Sequence, residues 1–228
     1  MSRYQQGKER VVQACLQLAD RGYLAGTGGN VALRVSGDAF AVTPSASDYY
    51  TMRPDDICIL RLDTLAVIEG ALKPSVESGI HARTLRARPD CVASVHTHQP
   101  LASAVALLGV ALPVTDAGAR AALGSVVPLV PYGPSGTGLL AAAYGRRLRA
   151  DANAYLLRNH GLVCCGATLA AAISNVEWVE REAAHFLRQH IGLAHVGTEG
   201  VRRHALDVLG RVLADPVAQP SGGSAAFA

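Results

Sequence analysis

The chain has 228 residues, half of them apolar, 17% charged and 5% aromatic. That composition excludes a disordered chain, and at about 150 residues per unit it predicts one large domain or two small ones. The net charge of +3, from 21 Lys and Arg against 18 Asp and Glu with no basic stripe, argues against a nucleic-acid partner. No apolar stretch reaches the roughly 20 residues of a membrane span, so no membrane partner is expected either.

In chain order, residues 9–20 place Val12, Leu16 and Ala19 on one helical face and stop at Gly22. A Gly-rich loop from Leu24 to Asn30 then feeds a hairpin, with strands at 31–35 and 40–43 around Ser36-Gly37-Asp38. Residues 57–62 and 65–68 read as two more strands. Pro74-Ser75 opens a helix over about 76–87, which Arg88-Pro89-Asp90 ends. A strand at 91–98 precedes a helix at 100–108, a strand at 126–130 and a helix at 138–149. Strands at 155–158 and 162–165 flank Asn159-His160-Gly161, and Thr168 caps the longest helix, 169–190. A short helix is expected at 201–213 and a flexible tail over 215–228. With no internal repeat or linker, residues 1–214 read as a single mixed α/β domain.

The five cysteines contain no C-x-x-C pair, and the polar first ten residues lack the apolar core of a signal peptide. The expected compartment is therefore the cytoplasm, with Cys164 and Cys165 as packing residues. Of the 21 basic residues only Lys8 and Lys73 are lysines, so imine chemistry has two candidates.

His96-Thr97-His98 carries the strongest chemical signal. Alternate residues of a strand share a face, so both imidazoles can reach one ion, although such a pair by itself is a weak signal that surface or packed histidines also satisfy. His160, at a turn between two apolar strands, can add a third ligand; three imidazoles and an open position are the pattern of a catalytic metal site. Glu77 lies near a helix start, where the dipole favours a carboxylate, with His81 one turn later on the same face. It is a candidate acid/base, or an ordinary first-turn glutamate. Thr27-Gly28-Gly29-Asn30 can aim backbone N–H groups at an oxyanion, or merely connect helix and hairpin.

Read in order, Gly26-Thr27-Gly28-Gly29-Asn30-Val31, Thr43-Pro44-Ser45, Lys73-Pro74-Ser75-Val76-Glu77, Arg88-Pro89-Asp90, His96-Thr97-His98 and Asn159-His160-Gly161-Leu162 resemble the class II aldolase/adducin family over about residues 8–190. The resemblance implies a three-layer α/β/α sandwich around a mainly antiparallel sheet, assembled as a homotetramer with sites at subunit interfaces. It implies a divalent metal, Zn2+ or another such as Mn2+ or Co2+, on His96, His98 and His160, with Glu77 as optional fourth ligand and catalytic base. It also implies substrate and phosphate contacts at Thr27, Gly28, Gly29, Asn30, Ser45 and Ser75. The implied reaction is carbon–carbon cleavage of a ketose 1-phosphate or similar hydroxyketone through a metal-stabilised enediolate. The alternative is decarboxylation of a hydroxy-keto acid on the same scaffold.

Glu77, where related 4-epimerases have Asp, and Gln99, where they and related dehydratases have Ser, favour the aldolase branch. Adducin-like binding members lack the three histidines present here. Two departures stand out: Ala46 replaces a Gly and Val76 a Ser of the phosphate pattern, which removes one hydroxyl donor, about 1 to 3 kcal/mol if nothing replaces it. The family's catalytic tyrosine aligns with Ala117, leaving Tyr49, Tyr50, Tyr132 or Arg120 as substitutes.

Overall fold

The computed structural model describes residues 2–24 and 26–194. Helix α1 (Gln5–Asp20) buries Val11, Cys15 and Leu18 on one face, then ends at Gly22, which takes a left-handed backbone. The first five strands follow as β1 (Asn30–Arg34), β2 (Ala39–Val42), β3 (Cys58–Arg61), β4 (Val67–Glu69) and, after helix α2 (Ser78–Ala87), β5 (Ala93–Thr97). Helix α3 (Pro100–Leu108) starts on the proline expected to start it. Then come β6 (Leu112–Pro113), α4 (Ala117–Leu123), β7 (Val126–Val127), β8 (Leu129–Val130) and α5 (Gly138–Gly145). Strands β9 (Ala154–Leu157) and β10 (Gly161–Gly166) precede the long helix α6 (Leu169–Ala194).

Eight strands make one sheet in the order β4-β3-β2-β1-β5-β10-β9-β8, antiparallel throughout except for β8 beside β9. Strand alternation sorts the core into two sides. Val31, Leu33, Ala93, Val95, Leu162 and Cys164 pack against α1, α3, α4 and α6. On the opposite face, Phe40, Val42 and Leu60 meet Ala82 and Leu85 of α2, while Tyr155, Leu157 and Val163 meet α5. This is the expected three-layer α/β/α arrangement.

Two expectations change. The strand expected at 126–130 is split by Pro128, which has no N–H to donate: Val126–Val127 pairs with β6 in a separate two-stranded sheet, and Leu129–Val130 joins the main one. Helix α4 was not expected, because its Ala and Gly residues give no apolar period; Asp116 caps it by accepting from the Ala119 N–H at 2.9 Å. The helix expected at 201–213 and the tail at 215–228 lie outside the described residues.

Arg88 ties the α2 side to the sheet. Its buried guanidinium donates to both carboxylate oxygens of Asp90, the carbonyls of Arg149 and Ala152, and Asn153 Oδ1, at 2.6 to 2.9 Å. All five N–H donors are thereby used, which is what a buried guanidinium requires. The Arg88-Pro89-Asp90 motif is structural.

Candidate metal centre

The centre lies where β5, β10 and the start of α2 meet, on the α2 face of the sheet. Across the central ladder Asn30 faces His96 on one side and Val163 faces it on the other, so His96 is fully buried between two strands. His160 projects from the tight β9–β10 turn, in which Asn159 adopts a left-handed φ of +55°. Two glycines let the backbones close in. A Cβ on Gly161 would stand 2.5 Å from the Thr97 carbonyl and 2.6 Å from the His98 ring, and one on Gly29 would stand 2.7 Å from the His96 carbonyl.

The three imidazoles converge through Nε2. His96 Nε2 is 2.8 Å from His98 Nε2 and 3.2 Å from His160 Nε2. Glu77 completes the group, with Oε2 3.1 Å from His96 and Oε1 3.2 Å from His160. Glu77 is the cap residue of α2, yet its side chain makes no cap bond and turns into the histidines instead.

The hydrogen bonds show that this donor set fits a divalent cation. His96 Nδ1 lies 2.8 Å from the Leu162 carbonyl, which can only accept, so the proton sits on Nδ1 and Nε2 of the neutral ring keeps its lone pair. That lone pair points at two other imidazoles and a carboxylate oxygen. Electron-rich atoms at such separations repel one another unless a cation lies among them, and three imidazoles plus a carboxylate suit zinc and its first-row neighbours. Burial opposes ionisation of Glu77, but hydrogen bonds to the carboxylate, that of Asn30 Nδ2 among them, outweigh it and hold the carboxyl well below the usual range. His98 is the exposed member of the set, so the centre opens to solvent on its side.

Around Glu77 the structure adds partners that sequence reading missed. Asn30 Nδ2 donates to Oε2 and Ser135 Oγ to Oε1, each at 2.9 Å. Ser135 belongs to an exposed Pro-Ser-Gly-Thr-Gly turn, whose residue types signal only a turn. Gly136 of that turn packs against exposed Val76, so a serine hydroxyl reaches the centre beside the position where the family pattern has one. Behind Asn30, buried His81 contacts Asn30 Oδ1 at 2.6 Å and Ser94 Oγ at 2.7 Å, and burial pushes its pKa down to about 3.

The remaining expected site residues frame the approach. Ser45 and Ser75 lie on paired segments: the Ser45 N–H donates to the Lys73 carbonyl and the Ser75 N–H to that of Thr43, at 2.8 and 3.0 Å. The Ser45 hydroxyl donates to the Pro74 carbonyl, whereas Ser75 Oγ accepts from the Glu77 N–H, leaving the Ser75 hydroxyl hydrogen uncommitted. Thr27 and Gly28 are accessible on the Gly-rich loop. Ala46 keeps a left-handed φ of +53° where the family pattern has glycine, a strain of about 1 kcal/mol.

Of the tyrosine substitutes, Tyr49 is buried with its hydroxyl on the Gly28 and Gly29 carbonyls, so it braces the loop. Tyr50, Tyr132 and Arg120 are exposed. Lys8 is buried in an ion pair with Glu69 at 2.5 Å, and Lys73 is exposed outside the cluster, so neither stands among the residues around the histidines. Gln99 turns its amide to the Val176 carbonyl on α6, away from the histidines.

Comparison with known proteins agrees with this geometry. The family profile described as the class II aldolase and adducin N-terminal domain matches residues 9–187. The chain is 38% identical over 179 residues to a 5-deoxy-D-ribulose 1-phosphate aldolase of Bacillus thuringiensis, covering 77% of this chain and 82% of that one. It is 34% identical over 183 residues to a 5-methylthioribulose-1-phosphate/5-deoxyribulose-1-phosphate aldolase of Rhodospirillum rubrum, covering 78% and 79%. Among solved structures, an l-fuculose-1-phosphate aldolase from Thermus thermophilus superposes with a TM-score of 0.70 at 26% identity, over 84% of this chain and 97% of that one. The chain belongs to the class II aldolase and adducin family and is a metal-dependent carbon–carbon lyase of the class II aldolase type.

Proposed function

We propose that this aldolase cleaves a ketose 1-phosphate of the 5-deoxyribulose type into dihydroxyacetone phosphate and an aldehyde. The observation that carries the reading is the convergence of three imidazole Nε2 atoms and the Glu77 carboxylate in a chain 38% identical to an aldolase of that substrate. His96, His98 and His160 would hold a divalent ion, which we assign as zinc, with manganese or cobalt compatible with the same donors. When bound, that ion supplies Lewis-acid polarisation of the substrate carbonyl and its neighbouring hydroxyl. Glu77, ionised in the resting site, takes up a substrate hydroxyl proton and returns one to C3 once the C3–C4 bond has broken. Thr27, Gly28, Gly29 and Asn30 line the phosphate end with the Gly-rich loop, Ser75 adds its uncommitted hydroxyl, and Ser45 borders the same end with its own donors spent on the Lys73 and Pro74 carbonyls. Because Lys8 is committed to Glu69, an imine route lacks its better-buried lysine.

Residues 1–214 are read as one catalytic unit, assembled as a homotetramer in the cytoplasm. Exposed Leu107, Leu108 and Val110 at the end of α3 offer the apolar surface that a subunit interface covers, and the five free, buried cysteines suit a reducing compartment. No helix among the described residues is long and apolar enough to cross a membrane. The decarboxylase alternative is not favoured, since the relatives compared are named aldolases.

The test is turnover of a panel of ketose 1-phosphates and hydroxy-keto acids, read by mass spectrometry. Activity is expected to vanish with EDTA and to survive borohydride. Glu77→Gln should retain metal and lose at least about 100-fold in kcat, the usual contribution of a general base. Full activity in that variant removes Glu77 from the base role, and bicarbonate release without a free aldehyde overturns the aldolase substrate assignment.

A further inference from the structure

His81 and Ser94 are buried behind the centre and reach it through Asn30. Their hydrogen bonds form one directed chain. A carboxylate can only accept, so Asn30 must turn its amide NH2 to Glu77 Oε2 at 2.9 Å, which sends its carbonyl Oδ1 to His81 Nε2 at 2.6 Å. A carbonyl also only accepts, so His81 Nε2 must carry hydrogen. Nδ1 of the neutral ring is then left to accept from the Ser94 hydroxyl at 2.7 Å.

The supports of this chain are rigid. Ser94 and His96 are two apart on β5, Asn30 faces His96 across the ladder, and His81 follows Glu77 by one turn of α2. None of Ser94, His81, Asn30 and Glu77 is more than 6% exposed, so water does not compete for these bonds.

We propose that His81, held by Ser94 in the tautomer protonated on Nε2, is a positioning residue that locks the Asn30 amide against Glu77. Without the Nε2–H, the amide can flip and present Oδ1 to the carboxylate, replacing an attraction by a repulsion at the base. With it, Oε2 is permanently engaged, and Oε1, on the side of exposed Ser135, exchanges the proton. The inference rests on the reading of Glu77 as the base.

Two measurements test it. In the 15N-labelled, metal-free full-length chain, long-range proton–nitrogen spectra at pH 7 should show His81 protonated on Nε2 and bare on Nδ1; the opposite tautomer overturns the proposal. In the zinc-loaded protein, His81→Leu should keep its metal and its KM within about 2-fold while kcat falls about 10- to 100-fold, the range for lost support of a site ligand. His81→Gln, whose side-chain N–H can reach Asn30 Oδ1, should recover at least about 5-fold. Loss of metal in His81→Leu, or an equal kcat loss in both variants, assigns His81 a purely structural role and sinks the idea. A fully active Glu77→Gln defeats the base reading instead and leaves the tautomer result untouched, so the two failures are distinct.

Discussion

Each Glu77 oxygen pairs one neutral donor with one imidazole: Oε2 takes Asn30 and faces His96, and Oε1 takes Ser135 and faces His160. The two donors differ in kind. Asn30 is fixed from behind by His81, whereas Ser135 sits on an exposed turn and holds Oε1 by a single bond. Removing that hydroxyl should therefore loosen the carboxylate without dismantling the centre. Ser135→Ala is expected to lower kcat about 5-fold, the equivalent of about 1 kcal/mol for one hydrogen bond, with metal content unchanged by elemental analysis. An unchanged kcat would show that water replaces the hydroxyl without loss. His96, His98 and His160 were legible in the sequence because strand period and an Asn-His-Gly turn are local signals. Ser135 was not, since its contact with Glu77 spans 58 positions and its own neighbourhood signals only a turn.

Helix α6 shows how much an element can do beyond filling a layer. Its apolar spacing was plain, but two buried carboxylates on it cap other helices. Glu180 accepts from the Leu101 and Ala102 N–H groups at the start of α3, both at 2.9 Å. Glu182 accepts from the Thr115 and Asp116 N–H groups at the start of α4, at 2.7 and 3.3 Å. Each satisfies donors that a helix start leaves open, and Glu180 secures the segment immediately after His98. Such caps come from 66 to 79 positions away, so no capping pattern near α3 or α4 could announce them. Burial pushes the Glu180 pKa up to about 7, against the pull of its two N–H donors. A raised acid pKa means that the folded protein keeps a proton that the unfolded chain, titrating near its ordinary value of 4.5, has already lost. The contribution is complete below that lower value and disappears as pH rises through about 7. Urea unfolding of the metal-free protein should accordingly lose stability across this window, and Glu180→Gln should flatten the slope while costing about 1 to 3 kcal/mol for an imperfect cap. Parallel curves for the two proteins from pH 5 to 7.5 would contradict the assignment.

At the scale of the whole molecule, the layers were legible but the strand order was not. Alternation in residues 31–35 and 91–98 announced two-sided strands, whereas the mainly antiparallel sheet was implied by the family resemblance alone. The insertion of β5 between β1 and β10 is a long-range pairing that no local pattern encodes. That insertion brings together parts of the chain that are distant in sequence: β1 with Asn30, β5 with His96, and the β9–β10 turn with His160. The centre therefore ties residues 30 to 160 into one node. An unfolded chain cannot hold these groups together, so a cation that binds there binds the native state almost alone and adds stability as RT ln(1 + [L]/Kd). At a free metal concentration of 100 Kd this is about 2.7 kcal/mol, or about 5 to 10 °C in Tm for a chain of this size. Calorimetry of the zinc-loaded protein with and without EDTA should show that shift, and His160→Ala should abolish it while unfolding near the temperature of the metal-free wild type. A shift that survives in His160→Ala would place the stabilising ion elsewhere. His160 is suited to this comparison because it stands at the tip of a turn with its side chain 9% exposed, whereas fully buried His96 lies between two strands, where truncation would confound ligand loss with a core cavity.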